Sequence, residues 1–208
     1  MTEQTYSIPM ALMDILPNIA FLVGAFFLVK LALRERGSKC GRMLMLGSLL
    51  IFLGGTLKAT WKLLMAAEVA DVTLLSEQQF VLVGIGFVGM LVAVILIARQ
   101  KLPKDGGPAT PILAMAAWKI PFLAIMTLAS LGAQGILVYI SFRRSIRIAA
   151  IFFIVAVLCM LGMAGMASGE QTITRQWIEQ SVNLIGQGSF AAGAYFLYKR
   201  SEANTVRC

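Results

Sequence analysis

The chain has no histidine, which excludes an imidazole base, a nucleophile–histidine pair, His-ligated haem and His-based zinc. Cysteine is scarce too: Cys40, Cys159 and Cys208 stand far apart, with no C-x-x-C spacing. Zinc ribbons, dithiol redox motifs and a structural disulfide drop out, and neither a metal site nor a cofactor is expected. No P-loop and no G-x-G-x-x-G fingerprint occurs. Gly84, Gly86 and Gly89 fall inside an apolar run, where glycine lets helices approach closely. Charge is the last shortage: only 13% of the 208 residues carry one, about half the share in a soluble domain.

What fills the space is apolar, 59% of the residues with a mean hydropathy of +0.82. Too few polar residues remain to cover the outside of a soluble fold this size. The sequence therefore predicts an all-α, polytopic transmembrane helical bundle, one integral membrane domain over residues 1–208. Its first partner is the lipid bilayer, and nucleic acid is not among its partners. The +8 surplus sits in short bursts of Lys and Arg between apolar stretches, the pattern of loops retained on the cytoplasmic side. It suits a cell membrane, and a bacterial inner membrane in particular. Met1-Thr2-Glu3 is no basic n-region and no small-residue cleavage site follows, so the first apolar stretch is expected to stay as a span.

A bilayer core of about 30 Å takes ~20 helical residues. Met10–Leu33, Met43–Ala67, Phe80–Ala98, Ile148–Ala167 and Trp177–Tyr198 are each of suitable length. Ile112–Phe142 is awkward, since as one helix it would run about 46 Å at 1.5 Å per residue. If it crosses once, six spans divide the Lys and Arg almost evenly between the two sides. If it goes in and comes back, only Lys58, Lys62 and Arg175 stay outside, which is what positive-inside retention favours. The expected topology is thus N-out, C-in with seven crossings, two of them short and folded at about Ala129–Gln134. Five spans plus a re-entrant hairpin and six spans are the alternatives. Lys104-Asp105-Gly106-Gly107-Pro108 is the clearest breaker, dividing possible halves 1–104 and 109–208.

Internal similarity points the same way. Phe21-x-x-Gly24-Ala25-Phe26-Phe27-Leu28-x-Lys30 returns as Phe190-x-x-Gly193-Ala194-Tyr195-Phe196-Leu197-x-Lys199. Two spans that both end in lysine run in the same direction, which needs an odd number of crossings. A fainter echo joins Glu77-Gln78-x-x-x-Leu82-x-Gly84 to Glu179-Gln180-x-x-x-Leu184-x-Gly186.

Polar groups inside spans cost roughly 2.5–3.5 kcal/mol each when ionisable, so each calls for a reason. Asp14 and Asn18 are one turn apart, as are Lys58 and Lys62, and so share a face. Glu77 and Gln78 open the third span, and Glu179, Asn183 and Gln187 make an i, i+4, i+8 stripe on the last. Aligning the similar spans sets Asp14 level with Asn183, and Asn18 level with Gln187. All nine are candidate solute-binding residues around an outward-facing polar cavity, in which Lys58 or Lys62 would neutralise Asp14. The plainer reading is that acids favour helix N-termini, lysines snorkel outward and amides join helices. Lys119 is expected to snorkel to the inner surface. Met160, Met163 and Met166 are expected as core filler, and Gly89-x-x-x-Ala93 and Gly188-x-x-x-Ala192 as exposed docking faces.

Three functions compete. Binding or transport of a small polar or charged solute fits the outer polar cluster. An accessory or sensory subunit, working through a partner membrane protein or a second copy of the chain, fits an apolar inner half. An intramembrane enzyme using Asp14, Glu77 or Glu179 with Lys58 is the weakest, because no nucleophile accompanies them, so no catalytic residue is assigned.

Overall fold

A single glycine turns the chain back on itself near its start. The computed structural model describes residues 7–99, 119–166 and 172–205, whose regular elements are all α-helices. These are α1 (Ile8–Met13), α2 (Ile15–Ala66), α3 (Thr73–Ala98), α4 (Lys119–Arg143), α5 (Arg147–Met166) and α6 (Ile173–Thr205). Inside α2, Gly37 has φ 79° and ψ −174°, a region open to glycine and costly for any residue with a Cβ. The two arms of α2 therefore lie antiparallel, with Asp14 against Lys62 and Asn18 against Gly55. The basic segment Arg34–Arg42, read from the sequence as a loop, is helical apart from this one residue.

The helices close into a ring. The second arm of α2 packs on α3, α3 on α4, α4 on α5, α5 on α6, and α6 on the first arm. Small residues bring two backbones together: a Cβ at Gly86 would come within 2.6 Å of the Gly47 carbonyl oxygen. Gly89 also faces Gly47, and Ala93 is fully buried. The Gly89–Ala93 face is thus consumed inside the molecule rather than offered to a partner. Gly188 has open space beside it.

Among the described residues four helices are long and apolar enough to cross a membrane: Ile8–Ala66, Thr73–Ala98, Ile125–Arg143 and Arg147–Met166. Their outer faces carry exposed Leu12, Leu46, Val81, Leu128, Ile151 and Leu158, as lipid contact requires. The chain is a membrane-type helical bundle. α6 is less apolar, because Glu179, Gln180, Asn183 and Gln187 occupy its first half.

One expectation fails outright. Residues 129–134 do not form a turn, because α4 runs unbroken from Lys119 to Arg143. The double crossing folded there, and a re-entrant hairpin folded there, are both wrong. Pro121 lies in the first turn, where its missing N–H has no helical partner to lose. Gly132 packs on Leu91, and Ala129 and Ala133 are buried, so packing holds the helix through its glycines. Helix α4 starts with Lys119 at the Asp14 end; the Lys119 side chain lies outside what the structure describes, and with it the expectation that it snorkels. The Lys104–Pro108 breaker lies outside the described residues.

The direction of the helices survives this correction. Leu91 beside Gly132, and Ile97 and Ile140 on one cavity, make α3 and α4 parallel neighbours. The first arm and α6 are parallel as well, with Phe21 stacked on Phe190 and Phe27 edge-on to Tyr195. Lys30, Arg34, Arg36, Lys39, Arg42, Arg99, Arg143, Arg144, Arg147, Lys199 and Arg200 consequently gather at one end. Lys58, Lys62 and Arg175 lie at the other.

Candidate functional site

The ring is hollow at the end away from the arginines. A cavity of about 340 Å³ opens there, and all six helical walls contribute to it. The first arm supplies Asp14, Asn18 and Phe21, and the second Ile51, Gly55 and Lys58. Gln79 and Phe87 come from α3, Met126 from α4 and Met163 from α5; α6 adds Glu179, Gln180, Asn183 and Gln187.

Local sequence explains each placement. Asp14 stands at the joint between α1 and α2, and Pro17, three residues on, cannot donate back into the preceding turn. The Asn18 side-chain amide donates to the Asp14 carbonyl at 3.2 Å, satisfying an acceptor at this joint. The Asp14 carboxylate pairs with the Lys62 ammonium at 2.5 Å, and both side chains are under a tenth exposed. This is the neutralising pair that the i, i+4 spacing of Lys58 and Lys62 made available. Across the cavity Glu179 pairs with Arg175 one turn earlier, at 3.6 Å, while Arg175 Nη2 donates to the Met166 carbonyl at 2.5 Å.

The nine residues singled out from sequence fall into three groups. Asp14, Asn18, Lys58, Glu179, Asn183 and Gln187 share the cavity. Lys62 is buried behind the wall on Asp14. Glu77 and Gln78 are exposed and do not line the cavity. Two glutamines not counted among those nine also line it, Gln79 and Gln180. Each follows a named candidate by one residue, and the missing signal was helical phase: at 3.6 residues per turn the neighbour of an outward side chain points ~100° away. The Oε1 of Gln180 is buried without a hydrogen-bond partner among the described residues.

The polar path continues a little deeper. A side cavity of about 120 Å³ between α4, α5 and α6 shares Met163, Asn183 and Gln187 with the main one. Gln134 reaches it with an unpartnered Oε1, and its amide nitrogen lies 3.9 Å from the Met160 sulfur. The Ser130 hydroxyl, which donates to the Thr127 carbonyl at 2.9 Å, lies 3.4 Å from the same sulfur. Met160 and Met163 are therefore cavity-wall residues, beyond the core-filler role that helical spacing alone indicated.

Below Gln134 the interior is sealed. Leu28, Leu44, Met90, Leu137, Phe153 and Leu197 are fully buried, and from Gln134 to Arg144 the helix rises about 15 Å. At the basic end Glu35 accepts from Arg144 Nη1 and Nη2 at 2.5 and 2.6 Å, and from Ser201 Oγ at 2.9 Å. That carboxylate ties the first arm, the α4–α5 junction and α6 together. A second cavity of about 300 Å³ lies beside it, among Arg36, Arg143 and Arg144.

Among the described residues no three His, Cys, Asp or Glu side chains gather where they could hold a metal ion. Cys40 is buried and Cys159 half-buried, both as free thiols. Comparison of the chain with protein-family models, curated proteins and solved structures returns no match.

Proposed function

We propose that the chain binds a small polar or charged solute in this cavity, from the outer side of a cell membrane, as a transporter caught open to that side. The observation that carries the reading is the convergence of six helical walls on one polar hollow. Its volume sits at the small end of the roughly 300–1,000 Å³ of small-molecule sites. The arginine-rich end is the cytoplasmic one by positive-inside retention, which sets Ile8 outside and Thr205 inside. α3 ends at the basic end and α4 begins at the other, which supports an odd number of crossings. Seven is the count we propose, in a bacterial inner membrane.

The sealed layer supports a second reading. If the roughly 15 Å of apolar packing below Gln134 never opens, the cavity is a sensor that passes ligand binding to a partner membrane protein or a second copy. Two measurements test these readings. Thermal unfolding of the purified protein in detergent against a solute panel asks whether the cavity binds: ligand at 100 times its Kd stabilises by about 2.7 kcal/mol. Uptake of the stabilising solute into proteoliposomes then separates transport from sensing. A flat panel, with Glu179→Gln as stable as the wild type, defeats both.

A further inference from the structure

Charge counting around the cavity narrows the solute. Among the described side chains, two carboxylates and three cations stand in or directly behind its wall. Asp14 is held by Lys62, and Glu179 by Arg175. Lys58 is left over. It lines the cavity and makes no hydrogen bond or ion pair among the described residues. The charges it senses are those of Lys62, Asp14 and Glu179, so its nearest cation repels it and both carboxylates are already committed. Lys58 is exposed on the cavity surface, so its ammonium is open to an anion that enters from the mouth.

We infer that the cavity takes a small organic monoanion whose carboxylate sits on Lys58; this rests on the cavity being a solute site. One surplus positive charge matches one negative charge. A single lysine is a point charge suited to a monoanion, whereas phosphate is favoured by arginine forks, and Arg175 at this end is engaged by Glu179 and the Met166 carbonyl. Asn18 and Gln79 bring amide side chains to the same cavity, and the unpartnered Gln180 Oε1 adds an acceptor for a ligand hydroxyl or N–H. Phe21, Phe87, Met126 and Met163 offer apolar surface, which an inorganic anion would waste. The ligand is thus a carboxylate with a compact apolar body.

The test uses the full-length protein in detergent and reads the thermal midpoint against sodium acetate, butyrate and benzoate. Sodium chloride and phosphate at matched ionic strength, choline chloride and sorbitol complete the panel. The carboxylates are expected to raise the midpoint in order of apolar bulk, with chloride, phosphate, choline and sorbitol inert. Lys58→Met should weaken the apparent Kd at least tenfold and Lys58→Arg less. Arg143→Gln at the far end should keep the response. Lys58→Arg and Arg143→Gln carry the test if Lys58→Met does not fold. An equal carboxylate response in Lys58→Met, or its loss in Arg143→Gln with Lys58 intact, overturns the inference by moving the anion elsewhere. Stabilisation by choline or sorbitol alone overturns it and leaves the solute cavity standing. No shift with any probe removes both.

Discussion

Phe21 and Phe190 stack with ring centroids 5.5 Å apart and planes 13° from parallel. They occupy matching positions in the two similar segments, so the first arm and α6 pack side by side in register. Gly24 lies beneath the Phe190 ring, and Gly193 beneath Phe153. This contact closes the ring of helices just below the cavity floor, where Phe190 is 3% exposed.

Removing Phe190 should open that closure. Phe190→Ala is expected to cost about 3–5 kcal/mol, because three neighbours lose packing and α6 has no other aromatic at that level. Denaturant unfolding in mixed micelles measures it. A change below 1 kcal/mol would mean that the ring closes elsewhere.

Neutralising Asp14 leaves Lys62 buried and without its carboxylate. Asp14→Asn should destabilise by about 3–5 kcal/mol, and the double variant Asp14→Asn/Lys62→Met should recover most of that. The recovery is the informative outcome. If the double variant is as unstable as the single, the carboxylate does something besides hold its lysine.

Gly37 has nothing within 4 Å of where a Cβ would stand, so a side chain there meets no clash. Its backbone conformation still excludes one. Gly37→Ala is expected to cost about 1–3 kcal/mol, read as a lower midpoint of unfolding. An unchanged midpoint would place the fold-back of α2 at a different residue.

Glu35 fastens three elements at the basic end, and Cys40 lies nearby with its thiol donating to the Ala93 carbonyl at 3.6 Å. Glu35→Gln should loosen that end and speed maleimide labelling of Cys40 several-fold, in a Cys208→Ser background. Cys159, on the far side of the apolar layer, is the internal control and should label at an unchanged rate. Equal acceleration at both thiols would mean global loosening rather than release of a latch.

Much of this arrangement is legible in the sequence, and particular residues show why. Asp14 and Asn18, or Asn183 and Gln187, announce a shared face by their spacing, and the structure places all four on one cavity. The similarity of the Phe21 and Phe190 segments correctly implied parallel helices. Glu77 and Gln78 misled because a helix entering at the mouth turns consecutive polar residues to different sides, and only tertiary packing decides that Gln79 faces inward. The fold at Ala129–Gln134 misled for another reason. A stretch too long for one span was treated as one element, although α4 starts at Lys119 and its glycines are stiffened by neighbours.

The joint at Gly37 has a mechanical consequence. Two arms hinged at one residue, braced by a buried ion pair at their far ends and locked to α3 through Gly47 and Gly86, move as a single plate. Any breathing of the barrel must then occur along its thinner seam. That seam is between α4 and α5, where a serine and a glutamine lean on one methionine sulfur. The molecule is built less like an iris than like a door, with the first three helical walls as the frame.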